Sequence, residues 1–157
     1  MMKTAPSFLP LLLILAAAAG CAGQAEAGPG GAGTTGTALM PDGTLVQLEV
    51  VNYTNPAGMA QGLSYRESLC PQCGMLFVFK EAGLRSFWMR DMRFPLDIIF
   101  LDEEFAVVDV ARNMEPCGGV CIPYQSRHDA KYVFEVNAGF AGEHALEEGK
   151  RLQINYG

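Results

Sequence analysis

The stretch Pro95-Leu96-Asp97-Ile98-Ile99-Phe100-Leu101-Asp102 decides the fold. Successive side chains of a strand point to opposite faces, so the apolar even-numbered residues share one face while Asp97, Ile99 and Leu101 share the other. A strand that is apolar on both faces is typical of one covered on both faces. The run therefore predicts a strand inside the core, with the carboxylate of Asp97 buried in it.

Six further runs are rich in branched aliphatic and aromatic residues and are separated by Gly, Pro, Asn or charged residues, which predicts short strands. They span residues 44–51, 75–79, 85–89, 106–110, 132–136 and 151–156. Two helices are predicted: Pro56–Gln61, between an Asn55 N-cap and Gly62, and residues 138–147, closed by Gly149. The short connections favour antiparallel pairing. The pattern predicts a mainly β domain, a small sandwich or barrel with one or two short helices.

The N-terminus predicts export. Lys3 precedes an apolar run over residues 8–19, broken only by Pro10 and too short to span a bilayer of about 30 Å. Small residues then precede Cys21. This order of segments resembles a bacterial lipoprotein signal, although Ala18 stands where leucine is usual. We expect a signal peptide over residues 1–20 and lipid, including palmitate, on Cys21. The alternative is cleavage after Ala19 by an ordinary signal peptidase, which would release a soluble exported protein.

Residues 21–38 consist mainly of Gly, Ala and Thr, which cannot bury a core and predict a flexible tether after the lipidated cysteine. Residues 39–157 then form a single domain. Without Lys3 the chain has 10 Lys plus Arg against 17 Asp plus Glu, a formal charge of 10 − 17 = −7. This charge excludes nucleic acid as a partner and disfavours anionic headgroups. We expect the membrane to be reached through the lipid at Cys21, in the outer membrane or at the cell surface, with the domain in the periplasm or extracellular space.

A series of motifs resembles, in order and spacing, the domain-of-unknown-function family 192 from about residue 45 to the C-terminus. They are Gln61-Gly62-Leu63-Ser64-Tyr65-Arg66, Gly74-Met75-Leu76-Phe77-Val78-Phe79, Ser86-Phe87-Trp88-Met89, the stretch that begins at Pro95, Tyr124-Gln125-Ser126, and Lys131-Tyr132-Val133-Phe134-Glu135-Val136. The resemblance implies a compact β-sandwich of jelly-roll type and no particular activity. After Trp88-Met89 the family usually continues with Lys, then Asn or Asp, then Thr, whereas this chain has Arg90, Asp91 and Met92 and so lacks the threonine hydroxyl.

A buried and unpaired carboxylate would cost several kcal/mol, so we expect Asp97 to have a cationic or multiply hydrogen-bonded partner. The candidate cations are Arg66, Arg85 and Arg90. One hypothesis is a small polar ligand-binding pocket with an aromatic wall, formed by Trp88, Arg90, Asp91, Asp97, Tyr124 and Ser126, with Arg66 nearby. The alternative is a buried ion pair that fixes the packing of the strand containing Trp88.

Four cysteines follow Cys21, namely Cys70, Cys73, Cys117 and Cys121, and in an exported domain they predict two disulfides. Three pairings are compatible with four thiols. The loop over residues 116–124 resembles the cysteine-bearing loop of many family members, which implies local pairing there and hence at Cys70 and Cys73. Two alternatives are a four-thiolate zinc site, whose two pairs would lie roughly 43 residues apart, and a redox site at Cys70-Pro71-Gln72-Cys73.

The two histidines, His128 and His144, are expected to be solvated, and no serine lies in a nucleophile-elbow pattern. The sequence thus predicts a membrane-anchored extracytoplasmic lipoprotein that acts as a non-enzymatic binding or envelope-assembly module. Its partner would be a small molecule or an envelope protein, with no metal or other cofactor. The alternative is a zinc-binding or thiol-redox protein built on the four cysteines.

Overall fold

The computed structural model describes residues 34–157, so the predicted signal peptide, Cys21 and residues 22–33 lie outside the described residues. Seven strands form one mixed sheet in the order β6-β5-β8-β3-β2-β1-β9. Their bounds are β1 Thr34–Leu39, β2 Leu45–Asn52, β3 Cys73–Gly83, β5 Leu96–Leu101, β6 Val107–Met114, β8 Ala130–Asn137 and β9 Gln153–Tyr156. A separate two-stranded ribbon pairs β4, Ser86–Phe87, with β7, Tyr124–Gln125. The helices are α1, Pro56–Gln61, and α2, Phe140–Glu143.

Strand β5 is buried at every residue, as its sequence predicts. Ile99 and Leu101 pack in a first apolar core that also contains Phe134 and Leu146. The even-numbered residues of β5 pack on the opposite face, in a second core that includes Phe77. The sheet therefore separates two cores, and both of its faces are covered.

The parallel pairing of β2 with β3 contradicts the expectation of antiparallel neighbours. Parallel strands need a crossover of a dozen or more residues, and residues 53–72 supply it. This crossover carries α1 and then passes over the second core, in which Leu63 is buried. The polar turns of the crossover therefore lie at the surface above the sheet.

The sheet curls around the first core, so that the β5–β6 turn approaches the segment before β9. Ala106 forms an isolated antiparallel bridge with Arg151, and the Val107 N–H donates to the carbonyl of Lys150 at 2.7 Å. The described strands nevertheless do not close into a barrel. The prediction of a mainly β domain with two short helices is confirmed, and its barrel alternative is not.

Strand β1 includes residues 34–38, which were predicted from their composition to belong to the flexible tether. It pairs with β2 on one side and with β9 on the other, and Ala38 is fully buried. A Gly- and Thr-rich segment has little side-chain area to bury, but backbone hydrogen bonds to two neighbours hold it in the sheet. The domain therefore begins no later than Thr34.

Helix α1 has the predicted bounds and caps, because the Asn55 side chain accepts the Gly58 N–H at 3.0 Å and Gly62 ends the helix. Helix α2 is four residues long, shorter than predicted, since Ala145 adopts a φ of +49° just beyond it. The predicted strand over residues 85–89 shortens to β4, and its partner β7 has no equivalent among the predicted strands.

Asp97 is fully buried, and of the two expected kinds of partner it has multiple hydrogen bonds rather than one of the candidate arginines. One carboxylate oxygen accepts the backbone N–H of Asn113 and the other accepts that of Ala141, each at 2.8 Å. These bonds join β5 to a bulge in β6 and to α2. Asp97 therefore organises the architecture on the side of the first core.

Replacing Asp97 with Asn should destabilise the domain by about 2–4 kcal/mol, because an amide presents a donor to one of the two backbone N–H groups that the carboxylate accepts. Urea unfolding followed by far-UV circular dichroism measures the loss. Glu103→Gln, which changes an exposed carboxylate in the next turn, serves as the control and should leave the unfolding free energy unchanged. Equal unfolding free energies for the wild type and D97N would contradict this role.

Candidate functional site

An open groove of about 380 Å³ lies on the side of the second core, between the α1 crossover and the segment after β4. Ala57 and Ala60 of α1 form one wall together with the following Ser64 and Tyr65. The opposite wall is formed by Trp88, Arg90 and Asp91. We call this feature the Trp88 groove.

The two walls of the Trp88 groove are fixed to one another by three hydrogen bonds. The Tyr65 N–H donates to the carbonyl of Asp91 at 2.9 Å, and the Ser64 hydroxyl donates to the carbonyl of Arg90 at 3.1 Å. The Tyr65 phenol donates to the Asp91 carboxylate at 2.8 Å, and this bond raises the pKa of the phenol. The groove is therefore a preformed feature rather than a gap between independent loops.

Trp88 and Tyr65 present large aromatic surfaces to solvent, with exposed fractions of 48% and 62%. Trp88 faces outward because Phe87 and Met89 on either side of it pack into the second core. The guanidinium carbon of Arg90 lies 4.4 Å from the centroid of the Trp88 ring, a cation–π contact. The aromatic ring of Trp88 and the guanidinium of Arg90 thus share one wall of the groove.

A disulfide-closed loop adjoins this wall. Cys117 pairs with Cys121, with 5.5 Å between their Cα atoms, and the Cys117 N–H donates to the carbonyl of Met89 at 3.2 Å. Val120 and Ile122 in this loop are 90% and 83% exposed. No charged residue occurs between Glu115 and Arg127, so the loop extends an uncharged, partly apolar surface beside the groove.

The second disulfide joins Cys70 to Cys73, with 5.2 Å between their Cα atoms, so the implied local pairing is confirmed at both sites. Oxidised sulfurs do not supply the four thiolates of the zinc alternative, and within residues 34–157 no three His, Cys, Asp or Glu side chains are grouped to hold a metal. Cys73 begins a strand, whereas a reactive redox pair needs a helix N-terminus. The two disulfides indicate an oxidising, extracytoplasmic environment.

Within the described residues, no helix combines the length and apolar character needed to cross a membrane.

Tyr124 and Ser126, expected in the pocket, instead attach β7 to the rest of the domain. The Tyr124 hydroxyl donates to both carboxylate oxygens of Asp109 at 3.0 and 3.1 Å. The backbone N–H of Arg127 also donates to Asp109 at 2.9 Å, and its guanidinium pairs with the same carboxylate. Burial alone would raise the pKa of Asp109, but these bonds outweigh burial and hold the pKa below its ordinary value. The hydroxyl of Ser126 accepts the N–H of Arg85 at 2.9 Å.

The structure therefore brings together three of the predicted site residues, Trp88, Arg90 and Asp91. It does not bring Asp97 to them, because Asp97 bonds to α2 on the opposite face of the sheet. The expectation that the two histidines are solvated does not hold for His144, which contacts Asp42 at 2.6 Å and stacks on Phe140.

Arg66 follows Tyr65 and holds the crossover to the sheet. Its two terminal nitrogens donate to the two oxygens of Glu49 at 2.6 and 2.7 Å. Glu135 lies beneath the crossover with an oxygen that has no hydrogen-bond partner. Burial raises the pKa of Glu135 to about 8, although Arg66 opposes the shift. Gly62 lies directly above, where a Cβ atom would sit 3.7 Å from that oxygen. One wall of the Trp88 groove thus lies above a buried carboxyl whose protonated form is favoured by burial.

Tyr65 and Ser64 are site residues that sequence reasoning did not single out. Both belong to the motif Gln61-Gly62-Leu63-Ser64-Tyr65-Arg66, so their position was noted but their role was not. The contact of Tyr65 with Asp91 spans 26 residues, and no local pattern predicts such a pairing.

The fold and the groove together define a small, disulfide-bonded β domain with a preformed aromatic groove. The chain belongs to the DUF192 family, whose model, described as "Uncharacterized ACR", matches residues 37–154. This confirms the resemblance inferred from the motifs.

Two solved structures are similar to this chain. One, described as a candidate transcription regulator from Sinorhizobium meliloti, has 29% sequence identity and a TM-score of 0.67, and the match covers 78% of this chain and 94% of that one. The other, a protein of unknown function from Novosphingobium aromaticivorans, has 28% identity and a TM-score of 0.65, with 76% and 83% of the two chains covered. No curated protein matches the chain.

The buried carboxyl of Glu135 predicts a pH-dependent stability. Between its ordinary pKa of 4.5 and about 8, the folded state holds a proton that the unfolded state releases. The free energy of unfolding should therefore fall as pH rises through this window, by on the order of 3–5 kcal/mol.

Glu135→Gln keeps the shape but carries no titrating proton, so the variant should be more stable than the wild type at pH 8.5 and similar to it near pH 4.5. Urea unfolding across this range measures the difference. Glu81→Gln, an exposed change, should follow the wild-type curve. Parallel pH curves for E135Q and the wild type would contradict the shift.

Proposed function

We propose that this protein is an exported lipoprotein, anchored to a membrane through Cys21, whose domain binds a ligand in the Trp88 groove without transforming it. The observation that carries the proposal is the preformed pair of exposed aromatic side chains, Trp88 and Tyr65. Rigid, exposed aromatic groups are typical anchors of binding sites because they lose little conformational freedom on binding. The groove volume falls within the roughly 300–1,000 Å³ of small-molecule sites.

The stability of the fold does not account for these side chains. Asp97 and the Asp109–Tyr124–Arg127 cluster hold the strands and loops together, whereas Trp88, Arg90 and Asp91 are exposed. Side chains that are exposed to solvent and add little to the core favour a role in an interaction.

The composition of the groove supports binding over catalysis. Its lining contains no histidine or cysteine, and its only carboxylate, that of Asp91, accepts the Tyr65 hydroxyl. A nucleophile–base pair or two opposed carboxylates would be needed for the common hydrolytic mechanisms. One similar structure is described as a candidate transcription regulator, but the net charge of −6 on this chain disfavours nucleic acid as its ligand.

The distance from the anchor supports a role close to the membrane. Thr34, the first residue of the sheet, follows Cys21 by 34 − 21 = 13 residues. Even fully extended, this length of chain reaches about 45 Å. The Trp88 groove would thus operate within the envelope and near the membrane that holds the lipid.

The groove proposal is tested on the full chain carrying Cys21→Ser, exported so that its disulfides form. A fragment library is screened by two-dimensional NMR. We expect the bound fragments to shift the Trp88 indole and the Ala57 and Ala60 amides. Trp88→Ala should weaken these fragments about tenfold or more, because it removes the aromatic wall.

Tyr53→Ala, which removes an aromatic side chain of similar exposure outside the groove, is the matched control and should leave fragment affinity unchanged. Fragments that cluster elsewhere on the domain, or that bind W88A as well as the wild type, would refute the groove as the ligand site.

The anchor proposal predicts that the wild-type protein sediments with membranes, incorporates labelled palmitate and enters a detergent phase. The Cys21→Ser protein should be soluble and unlabelled, because its thiol acceptor is absent. If the wild type and C21S were equally soluble, cleavage by an ordinary signal peptidase would replace the lipoprotein assignment.

A further inference from the structure

One arginine of the described chain is left without a partner, and it lies in the Trp88 groove. Six of the seven arginines in residues 34–157 form an ion pair or a side-chain hydrogen bond, namely Arg66, Arg85, Arg93, Arg112, Arg127 and Arg151. The guanidinium of Arg90 forms neither within these residues, and its contact is the Trp88 ring. Within the part of the chain that the structure describes, the other guanidinium groups thus serve structure and that of Arg90 is left open.

The surroundings of Arg90 leave the N–H donors of its guanidinium available to a ligand. Stacking on Trp88 orients the planar guanidinium without engaging its five N–H donors. The adjacent carboxylate of Asp91 is directed to the Tyr65 hydroxyl at 2.8 Å and does not neutralise Arg90 through a direct contact. An oriented, uncommitted guanidinium matches the geometry of a carboxylate, which it can bind through two parallel hydrogen bonds.

We infer that the Trp88 groove binds a small monocarboxylate with an apolar or aromatic body, an inference that rests on the proposed binding function. The ligand carboxylate would accept hydrogen bonds from Arg90. Its body would pack against Trp88, Tyr65 and the alanine side chains of α1, whose small size leaves room in the groove.

The charge of the groove favours a carboxylate over a phosphate monoester. Asp91 places a negative charge beside Arg90, and the whole chain carries a net charge of −6. Both repel a dianion more strongly than a monoanion, while one guanidinium compensates one negative charge. A singly charged carboxylate therefore fits the local charge better.

The test uses two probes that share the same aromatic body and differ only in the carboxyl group, N-acetylphenylalanine and its neutral amide. The full chain carrying Cys21→Ser contains one tryptophan, Trp88, so indole fluorescence reports directly from the groove. The acid should bind the wild type about ten- to a hundredfold more tightly than the amide, the ratio typical of a hydrogen-bonded charged group. Phenyl phosphate, the dianionic arm, should bind more weakly than the acid.

Arg90→Met should abolish the preference for the acid while leaving weak binding of the amide. Arg93→Met is the matched control, because it removes a positive charge three residues away, at a side chain that pairs with Glu67 outside the groove. It should keep the acid preference. Unchanged thermal midpoints for both variants, measured alongside, exclude unfolding as the cause of a loss.

Equal affinities of the wild type for acid and amide, or an acid preference that survives R90M, would overturn the carboxylate inference and leave the groove as a site for neutral ligands. The absence of any acid binding would also overturn it. The proposed binding function itself fails only if the fragment screen finds no ligand at Trp88, so the two failures are distinguishable. Stronger binding of phenyl phosphate than of the acid would replace the carboxylate with a phosphate.

Discussion

The structure depends on one constraint: the inner strands of the sheet are apolar on both faces, so both faces must be covered. The first face is covered by curling, which brings the β5–β6 turn against the segment before β9, and by α2. The second face is covered by the crossover over residues 53–72, which contains α1, and by the β4–β7 ribbon. Such connections carry polar backbone groups that must find partners, and they find them in each other. The Trp88 groove forms where two of these connections meet.

Three buried carboxyl groups show how the domain treats charge in its interior. Asp97 is stabilised by two backbone N–H groups, and Asp109 by Arg127 and Tyr124. Within the described residues one oxygen of Glu135 has no hydrogen-bond partner, and burial raises its pKa to about 8, which favours the uncharged form beneath the crossover. Among the described residues that line the groove, only Arg90 and Asp91 carry a charge. The carboxylate most conspicuous in the sequence, Asp97, therefore serves architecture.

Local patterns predicted local structure. The doubly apolar run of β5 and the caps of α1 each depend on residues within a few positions of one another, and each has its expected form. The local pairing of the two disulfides was implied by the resemblance to the family, since four thiols alone allow three pairings. The features that escaped prediction depend on distant partners. Strand β1 exists because β2 and β9 flank it, and the parallel neighbour of β2 is set by the path of the crossover. Trp88, Arg90 and Asp91 were predicted together since they are adjacent in the chain, whereas Tyr65 reaches Asp91 only through the tertiary fold.

Backbone conformation at the Trp88 groove argues that its geometry is maintained for a purpose other than stability. Tyr65 and Asp91 both adopt left-handed conformations, with φ of +68° and +59°, and they hydrogen-bond to each other. This region is unfavourable for residues with a side chain, by about 1 kcal/mol or more each, and bulky residues are rare in it. Glycine would relieve the strain at Tyr65 but would remove the phenol that engages Asp91 and the ring that faces the groove. Strain at two facing positions thus accompanies two exposed aromatic rings and a guanidinium that has no ion pair within residues 34–157, which is the arrangement expected of a recognition site.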